Sequence, residues 1–340
     1  MYENLSDPMP VNKEIKLYTG TGNPALAEKI ADILHLELQG LNIEKFANGE
    51  IYARFTESVR GDDVYFIQTL AGANVNDLLM ETLIVCDAAK RASCNKFIAV
   101  IPHYGYARQD RKAAAREPIT ARLIFDLFHA AGADRIMTVD LHAAQEQGFF
   151  DGPVDHLTAM PVLLDYVRST LDLGNTTIVS PDAGRIKVSE QWAAKLGNLP
   201  LAFIHKQRDI TRPNHAEAHG IIGDVDGRDC VVIDDMVDTA GTICEAVRTL
   251  NESGAKSVTL VATHGLLSGP AVERLSHCGA HEIVFMDTVP IPEEKRLPNM
   301  TVLSCAPLLA AGIRSVFEEG SVAILLDGLP EDMRPRNIYA

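Results

Sequence analysis

Apolar and polar positions follow two rhythms along this chain, and the switch between them recurs nearly from end to end. Short unbroken apolar runs occur at Ile15 to Tyr18, Val64 to Ile67, Phe97 to Ile101, Ile136 to Val139, Ile178 to Val179, Leu201 to Ile204, Val231 to Ile233 and Val258 to Ala262. Runs of this length, rich in β-branched residues and lacking alternation, read as strands buried on both faces. Between most of them the apolar spacing widens to three and four, which predicts helices over Asn76 to Arg91, Thr120 to Ala131 and Thr242 to Ser253. Strands alternating with helices need crossovers, so the expected fold is α/β with largely parallel sheets. A chain of 340 residues is long for one core and comfortable for two. The boundary is expected near residue 160, around Pro153 to Pro161, giving units 1–160 and 161–340. A last helix, Pro307 to Glu318, is expected to pack back onto the first half. A faint repeat points to duplication: Gly132 and Gly254 each end a helix and lead through a strand to a histidine ten residues on, His142 and His264.

One stretch joins a strand, paired acids and a phosphate cradle. Val231 to Ile233 form the strand, which is expected to stop at Asp234 and Asp235, and Asp238 to Thr242 then open a helix with apolar positions at Ile243, Ala246, Val247 and Leu250. The first N–H groups of a helix have no partner within it and favour an anion, so a phosphate belongs there. Carboxylates at the strand end accept hydrogen bonds from vicinal hydroxyls. The implied ligand is ribose 5-phosphate. A plain helix cap needs one such residue, whereas this run holds three acids, two threonines and a glycine.

Other motifs are read more narrowly. Gly20, Gly22 and Ala25 mimic a dinucleotide fingerprint, but a turn with Asn23 capping the next helix accounts for them. No GxxxxGK[ST] occurs, so any ATP site is not a P-loop. Phe46-Ala47-Asn48-Gly49-Glu50 fits a hairpin turn and equally a base-stacking aromatic with two acceptors beside it. Taken alone, His142 reads as a hydrogen-bonded structural residue and Asp182 as a helix cap as readily as a ligand.

A net charge of −15 disfavours nucleic acid and anionic membranes, so anionic substrates need local cations and metal. Two basic clusters supply them: Arg108, Arg111, Lys112 and Arg116 in a polar loop over Tyr106 to Pro118, and Lys206, Arg208 and Arg212 in another over Lys206 to Gly220. Such loops suit lids that close over an anion. Six scattered cysteines with no CxxC pair argue against zinc and disulfide scaffolds and for reduced thiols. With no bilayer-length apolar run and no leader-like start, a cytoplasmic protein is expected.

The segment DDMVDTAGT resembles the phosphoribosyl-diphosphate loop of type I phosphoribosyltransferases and diphosphokinases. FANGE, ESVRGDDVY, IPHYGYARQDRK with REPIT, VDLHAAQEQGFFD, VSPDAG, DDMVDTAGT and ATHGLLSGPA then stand in the order seen in the ribose-phosphate diphosphokinase family, over about residues 15–328. That resemblance implies two tandem type I phosphoribosyltransferase-like domains, the first on the ATP side and the second on the ribose 5-phosphate side. It further implies transfer of the diphosphoryl group of ATP to O1 of ribose 5-phosphate, giving 5-phosphoribosyl 1-diphosphate and AMP. By resemblance, Phe46, Asn48 and Glu50 hold adenine from a neighbouring subunit, and Arg108 and Gln109 also touch ATP. His142 and Asp182 bind the Mg2+ that bridges its phosphates. Asp234, Asp235, Asp238, Thr239, Ala240, Gly241 and Thr242 hold ribose 5-phosphate, and Lys206 and Arg208 are the catalytic lid cations. A homo-oligomer, a hexamer in the family, follows from the shared adenine site. Four positions depart from the family pattern: Arg185 replaces a second glycine after PDAG, His205 and Gln207 alter the lid, and His103 stands where an aromatic is usual. The alternative is a non-catalytic subunit that regulates active synthetase. Such a protein tends to lose lid cations, and this chain keeps Lys206, Arg208 and Asp182.

Overall fold

A computed structural model describes residues 13–207 and 218–333. The first half contains β1 (Ile15–Thr19), α1 (Pro24–Leu34), β2 (Leu41–Lys45), β3 (Ile51–Phe55), β4 (Asp63–Ile67), α2 (Val75–Arg91), β5 (Lys96–Ile101), α3 (Thr120–Ala131), β6 (Arg135–Val139) and β7 (Val154–Leu157). Strands β1, β4, β5, β6 and β7 lie side by side in that order, all parallel, while β2 and β3 form a separate antiparallel hairpin. The second half contains α4 (Met160–Thr170), β8 (Thr176–Ser180), α5 (Ile186–Lys195), β9 (Leu201–Gln207), β10 (Ala218–Ile222), β11 (Asp229–Val237), α6 (Gly241–Glu252), β12 (Ser257–Gly265), α7 (Ala271–His277), β13 (Glu282–Met286), β14 (Met300–Leu303) and α8 (Ala306–Phe317). Its seven strands run in the order β10-β9-β8-β11-β12-β13-β14, parallel except for β10 against β9. The expected α/β architecture with mainly parallel, helix-flanked sheets is therefore what the chain adopts.

Three apolar cores explain the layering. On the outer face of the first sheet, Ile124, Phe125 and Phe128 of α3 and Val85 and Ala89 of α2 cover Phe66, Phe97 and Ile101. On the outer face of the second, Ile243, Val247 and Leu250 of α6 cover Val232, Leu260 and Phe285. Between the sheets lies one shared core, where Leu309 and Ile313 of α8, Ile30 of α1 and Trp192 of α5 join Val100 and Val139 to Val231 and Val261. Burial on both faces is why these strands carry unbroken apolar runs.

Where structure and pattern differ, pairing decides. The strand expected to end at the acids continues through them to Val237, because β12 pairs with it as far as Met236 beside His264 and Val237 beside Gly265. Ladder hydrogen bonds, not side-chain polarity, set that end. Strands β7 and β14 escape the pattern because they are short sheet edges with polar residues inside them, Val154-Asp155-His156-Leu157 and Met300-Thr301-Val302-Leu303. Strand β13 does carry an apolar run, Ile283 to Met286. The glycines after β1 serve close packing: a Cβ on Gly20 would stand 2.4 Å from the amide nitrogen of Gln68, and one on Gly22 would stand 2.5 Å from its oxygen. Glu81 completes this knot, accepting from Gln68 at 2.6 Å and from Thr21 Oγ1 at 2.7 Å, and Asn23 caps α1 by accepting from Leu26 N. All six cysteines are buried and unpaired.

Candidate active site between the two sheets

The carboxyl ends of β6 and β12, the two strands of the faint repeat, meet head to head. His264 Nε2 lies 3.1 Å from the carbonyl of Val139, and Thr263 Oγ1 donates to Asp140 at 2.7 Å. His103 packs edge-on to His264 with ring centroids 4.6 Å apart. In open α/β sheets, ligands collect beyond the carboxyl ends of the strands, so this junction is where a site is expected.

From the second half come the acids and the helix start. Asp234 and Asp235 sit near the end of β11, and because successive strand residues face opposite sides, Asp235 is buried while Asp234 stays partly open. Burial alone would raise the Asp235 carboxyl, but the hydrogen bond from His142 and the charge of Arg185 outweigh it and hold it well below the usual range. Burial and the neighbouring Asp235 charge push Asp234 the other way, upward. Beyond β11, Ala240 adopts φ 60° and turns the chain into α6. Among the described residues, the backbone N–H groups of Thr239 to Thr242 have no protein partner. Arg274 Nη1 donates to the Thr239 carbonyl at 2.9 Å and holds the turn from behind. The helix start at Gly241 is thus open, with the N–H groups before it free among the described residues.

From the first half come His142 and Arg108. His142 Nδ1 lies 2.7 Å from Asp235 Oδ2, and that hydrogen bond raises the imidazole above its ordinary value. Arg108, on a one-turn 3-10 segment Ala107–Gln109, reaches Asp238 Oδ2 at 2.7 Å. Gln109 accepts from Thr120 Oγ1 at 2.6 Å at the start of α3. A cleft of about 510 Å³ opens beside these residues, with Leu70, Val75, Tyr104 and Tyr106 on one side and Met236 and Leu266 on the other. The rest of the first basic cluster, Arg111, Lys112 and Arg116, is exposed on a loop closed by Glu117, which accepts from Ala113 N and Ala114 N at 2.7 and 2.8 Å.

Some expected residues lie elsewhere. Phe46, Asn48 and Glu50 form the β2–β3 turn, where Phe46 is exposed with its ring 5.9 Å from that of Tyr52, and Asn48 Oδ1 accepts from Glu50 N. Within the chain they make no hydrogen bond or ion pair to the acids or to Arg108 among the described residues. Asp182 accepts from Gly184 N at 2.8 Å and so caps a 3-10 turn, Ala183–Arg185, with one oxygen. Lys206 belongs to β9 by its backbone, paired opposite His219, and Arg208 lies outside the described residues. Two further residues join the site: Arg185, which departs from the family pattern after PDAG, and Glu146, to which the motifs gave no role. Arg185 bridges Asp234 and Asp235, and its Nη2 lies 3.5 Å from His142 Nδ1. Glu146 is fully buried behind His142, accepts from Ala143 N at 2.9 Å, and is pushed by burial up to about 7. Its place four residues after His142 was the available signal.

A divalent cation fits this donor set only in part. The Asp235 carboxylate orients His142 through Nδ1 and leaves Nε2 outward, the usual arrangement behind a ligating imidazole. Asp182 keeps one oxygen, yet no group of three or more His, Cys, Asp or Glu converges among the described residues. Two protein donors suit a hard cation that retains water and arrives with phosphates.

Two mainly parallel sheets meet at their carboxyl ends, with acids and an open helix start on one and a histidine and arginine on the other, and so define an α/β chain with a candidate anion-binding site at their junction. Comparison narrows the class. Residues 15–132 match the N-terminal domain of ribose phosphate pyrophosphokinase, and residues 211–327 match the phosphoribosyl synthetase-associated domain. The chain is 60% identical over 322 residues to a ribose-phosphate pyrophosphokinase of Bifidobacterium longum, covering 94% of each. It is 54% identical over 316 residues to that of Mycobacterium tuberculosis, covering 93% of this chain and 97% of the relative. A crystal structure of phosphoribosylpyrophosphate synthetase from Mycobacterium smegmatis superposes with a TM-score of 0.86 at 50% identity, covering 91% of this chain and all of the other. The chain belongs to the ribose-phosphate pyrophosphokinase family.

Proposed function

We propose that this protein transfers the diphosphoryl group of ATP to O1 of ribose 5-phosphate. The O1 oxygen bonds to the β-phosphorus, the bond from that phosphorus to the α,β-bridging oxygen breaks, AMP leaves with the electron pair, and the O1 proton is released. The observation that carries this reading is the cradle at Thr239 to Thr242, four free N–H donors at a helix start. It suits a 5-phosphate, with Asp234 within a few residues to accept from ring hydroxyls.

Such a transfer needs placement and cations more than covalent help. Asp235 locks His142, Arg108 stands over the cradle beside the cleft we assign to ATP, and Lys206 and Arg208 are the cations we assign to the lid. Magnesium is the cation we infer, held by His142 and Asp182 with ATP phosphates and water; it would neutralise phosphate charge in the transition state. The adenine contacts of Phe46, Asn48 and Glu50 would come from a second subunit, so at least a dimer is required and a hexamer is inferred. Units 1–160 and 161–340 are taken as the ATP-side and sugar-side domains. A cytoplasmic location is inferred for a chain in which no described helix is long and apolar enough to cross a membrane. Incubation with Mg-ATP and ribose 5-phosphate is the test. Sugar-dependent AMP formation with retention of both phosphates on the sugar is expected; AMP formation without sugar, or none at all, overturns the reading.

A further inference from the structure

We propose that Arg185 is the resident counter-ion of the Asp234–Asp235 pair, standing where two adjacent carboxylates would otherwise take a divalent cation, and that it positions Asp234 for the sugar. The inference deepens the reading above and rests on it for the sugar. Arg185 Nε lies 3.2 Å from Asp234 Oδ1, and Nη2 pairs with Asp235 Oδ1 and lies 3.5 Å from His142 Nδ1. One guanidinium therefore spans both acids in the fork geometry that suits carboxylates. Asp235 has both oxygens engaged, Oδ1 also by Met236 N at 2.9 Å and Oδ2 by His142 at 2.7 Å. Asp234 Oδ1 takes Asp235 N at 2.9 Å along with Arg185. The Asp234 and Asp235 carboxyls also hydrogen-bond to each other, so the guanidinium and both acids form one unit that fixes where Asp234 stands.

Permanence follows from burial. The Arg185 side chain is 17% exposed and that of Asp235 is 6% exposed, and a charge pair this far from water is strongly destabilised when one partner leaves. A sugar hydroxyl is neutral and cannot replace the guanidinium charge. Arg185 therefore stays in place when the sugar binds, and the cation required for transfer is confined to the phosphate side, at His142 and Asp182.

The test is Mn2+ binding followed by electron paramagnetic resonance on the full chain without nucleotide or sugar, a readout that needs no turnover. Wild type is expected to show no Mn2+ dependent on Asp234. Arg185→Gln is expected to gain one ion per subunit, bound at least about tenfold more tightly than any in wild type because a paired negative site has lost its neutraliser. Arg185→Gln combined with Asp234→Asn is expected to lose that ion again. Arg185→Lys keeps the charge and is expected to gain no ion while weakening ribose 5-phosphate binding severalfold by calorimetry, since a point charge cannot span both acids. Wild-type Mn2+ abolished by Asp234→Asn, or a folded Arg185→Gln that gains none, overturns the proposal. Should Arg185→Gln fail to fold, the wild-type and Arg185→Lys measurements still decide. Failure of the diphosphokinase reading would show separately, as wild-type protein that forms no AMP.

Discussion

Asp234 and Asp235 are neighbours in sequence with different tasks, because a strand turns consecutive side chains to opposite faces. Asp235 is a structural anchor between His142 and Arg185, so Asp235→Asn should destabilise the protein by about 3–5 kcal/mol, the usual cost of unpairing a buried charge. Asp234→Asn should leave the melting temperature within a few degrees of wild type and raise the dissociation constant for ribose 5-phosphate. Equal loss of stability in both variants would remove this division of labour. Glu146 carries a pH prediction. Burial raises its folded value to about 7, above that of the unfolded chain, so the folded state holds the proton more tightly. Stability from this group is therefore greatest at acid pH and falls as pH rises from the unfolded value through 7. Glu146→Gln keeps the acceptor for Ala143 N and removes the ionisation, so it should raise the melting temperature more at pH 8 than at pH 5; an equal shift at both would contradict the sign.

At the scale of elements, the site is built where strands end and helices begin. The β11–turn–α6 unit is readable from residues alone, since unbroken β-branched residues, acids and Thr-Ala-Gly-Thr each have a local physical meaning. Its strand end was not readable, because the partner β12 sets it. The β9–β10 hairpin carries Lys206 on its first strand. If that lysine meets charge that develops only during transfer, Lys206→Ala should lower kcat by about a thousandfold or more and leave ribose 5-phosphate affinity nearly intact. Near-normal turnover would place the lysine outside the reaction. The FANGE turn shows a limit of local reading: it is a hairpin in this chain, and the adenine contact we propose for it would need a second subunit.

For the whole molecule, α8 lies in the core shared by the two sheets, and its packing couples them. A Cβ on Gly312 would stand 3.0 Å from Met137 Sδ and 3.1 Å from Leu157 Cδ1, both in the first sheet. Gly312→Leu should therefore overpack this junction and cost about 1–3 kcal/mol or more, read as a lower melting midpoint. No change in stability would mean that α8 can move away from the first sheet freely. The apolar rhythm, the turn residues and the helix-opening loop were determined by the sequence alone, because each depends on neighbours within a few residues. The tertiary structure alone decided that Arg185 reaches across from the end of β8 to Asp234 and Asp235, that Arg108 meets Asp238, and that His142 is held by Asp235. Those partners lie far apart along the chain: the pairing of β8 with β11 in one sheet brings Arg185 to the two acids, and the meeting of two sheets at their carboxyl ends brings Arg108 to Asp238 and His142 to Asp235.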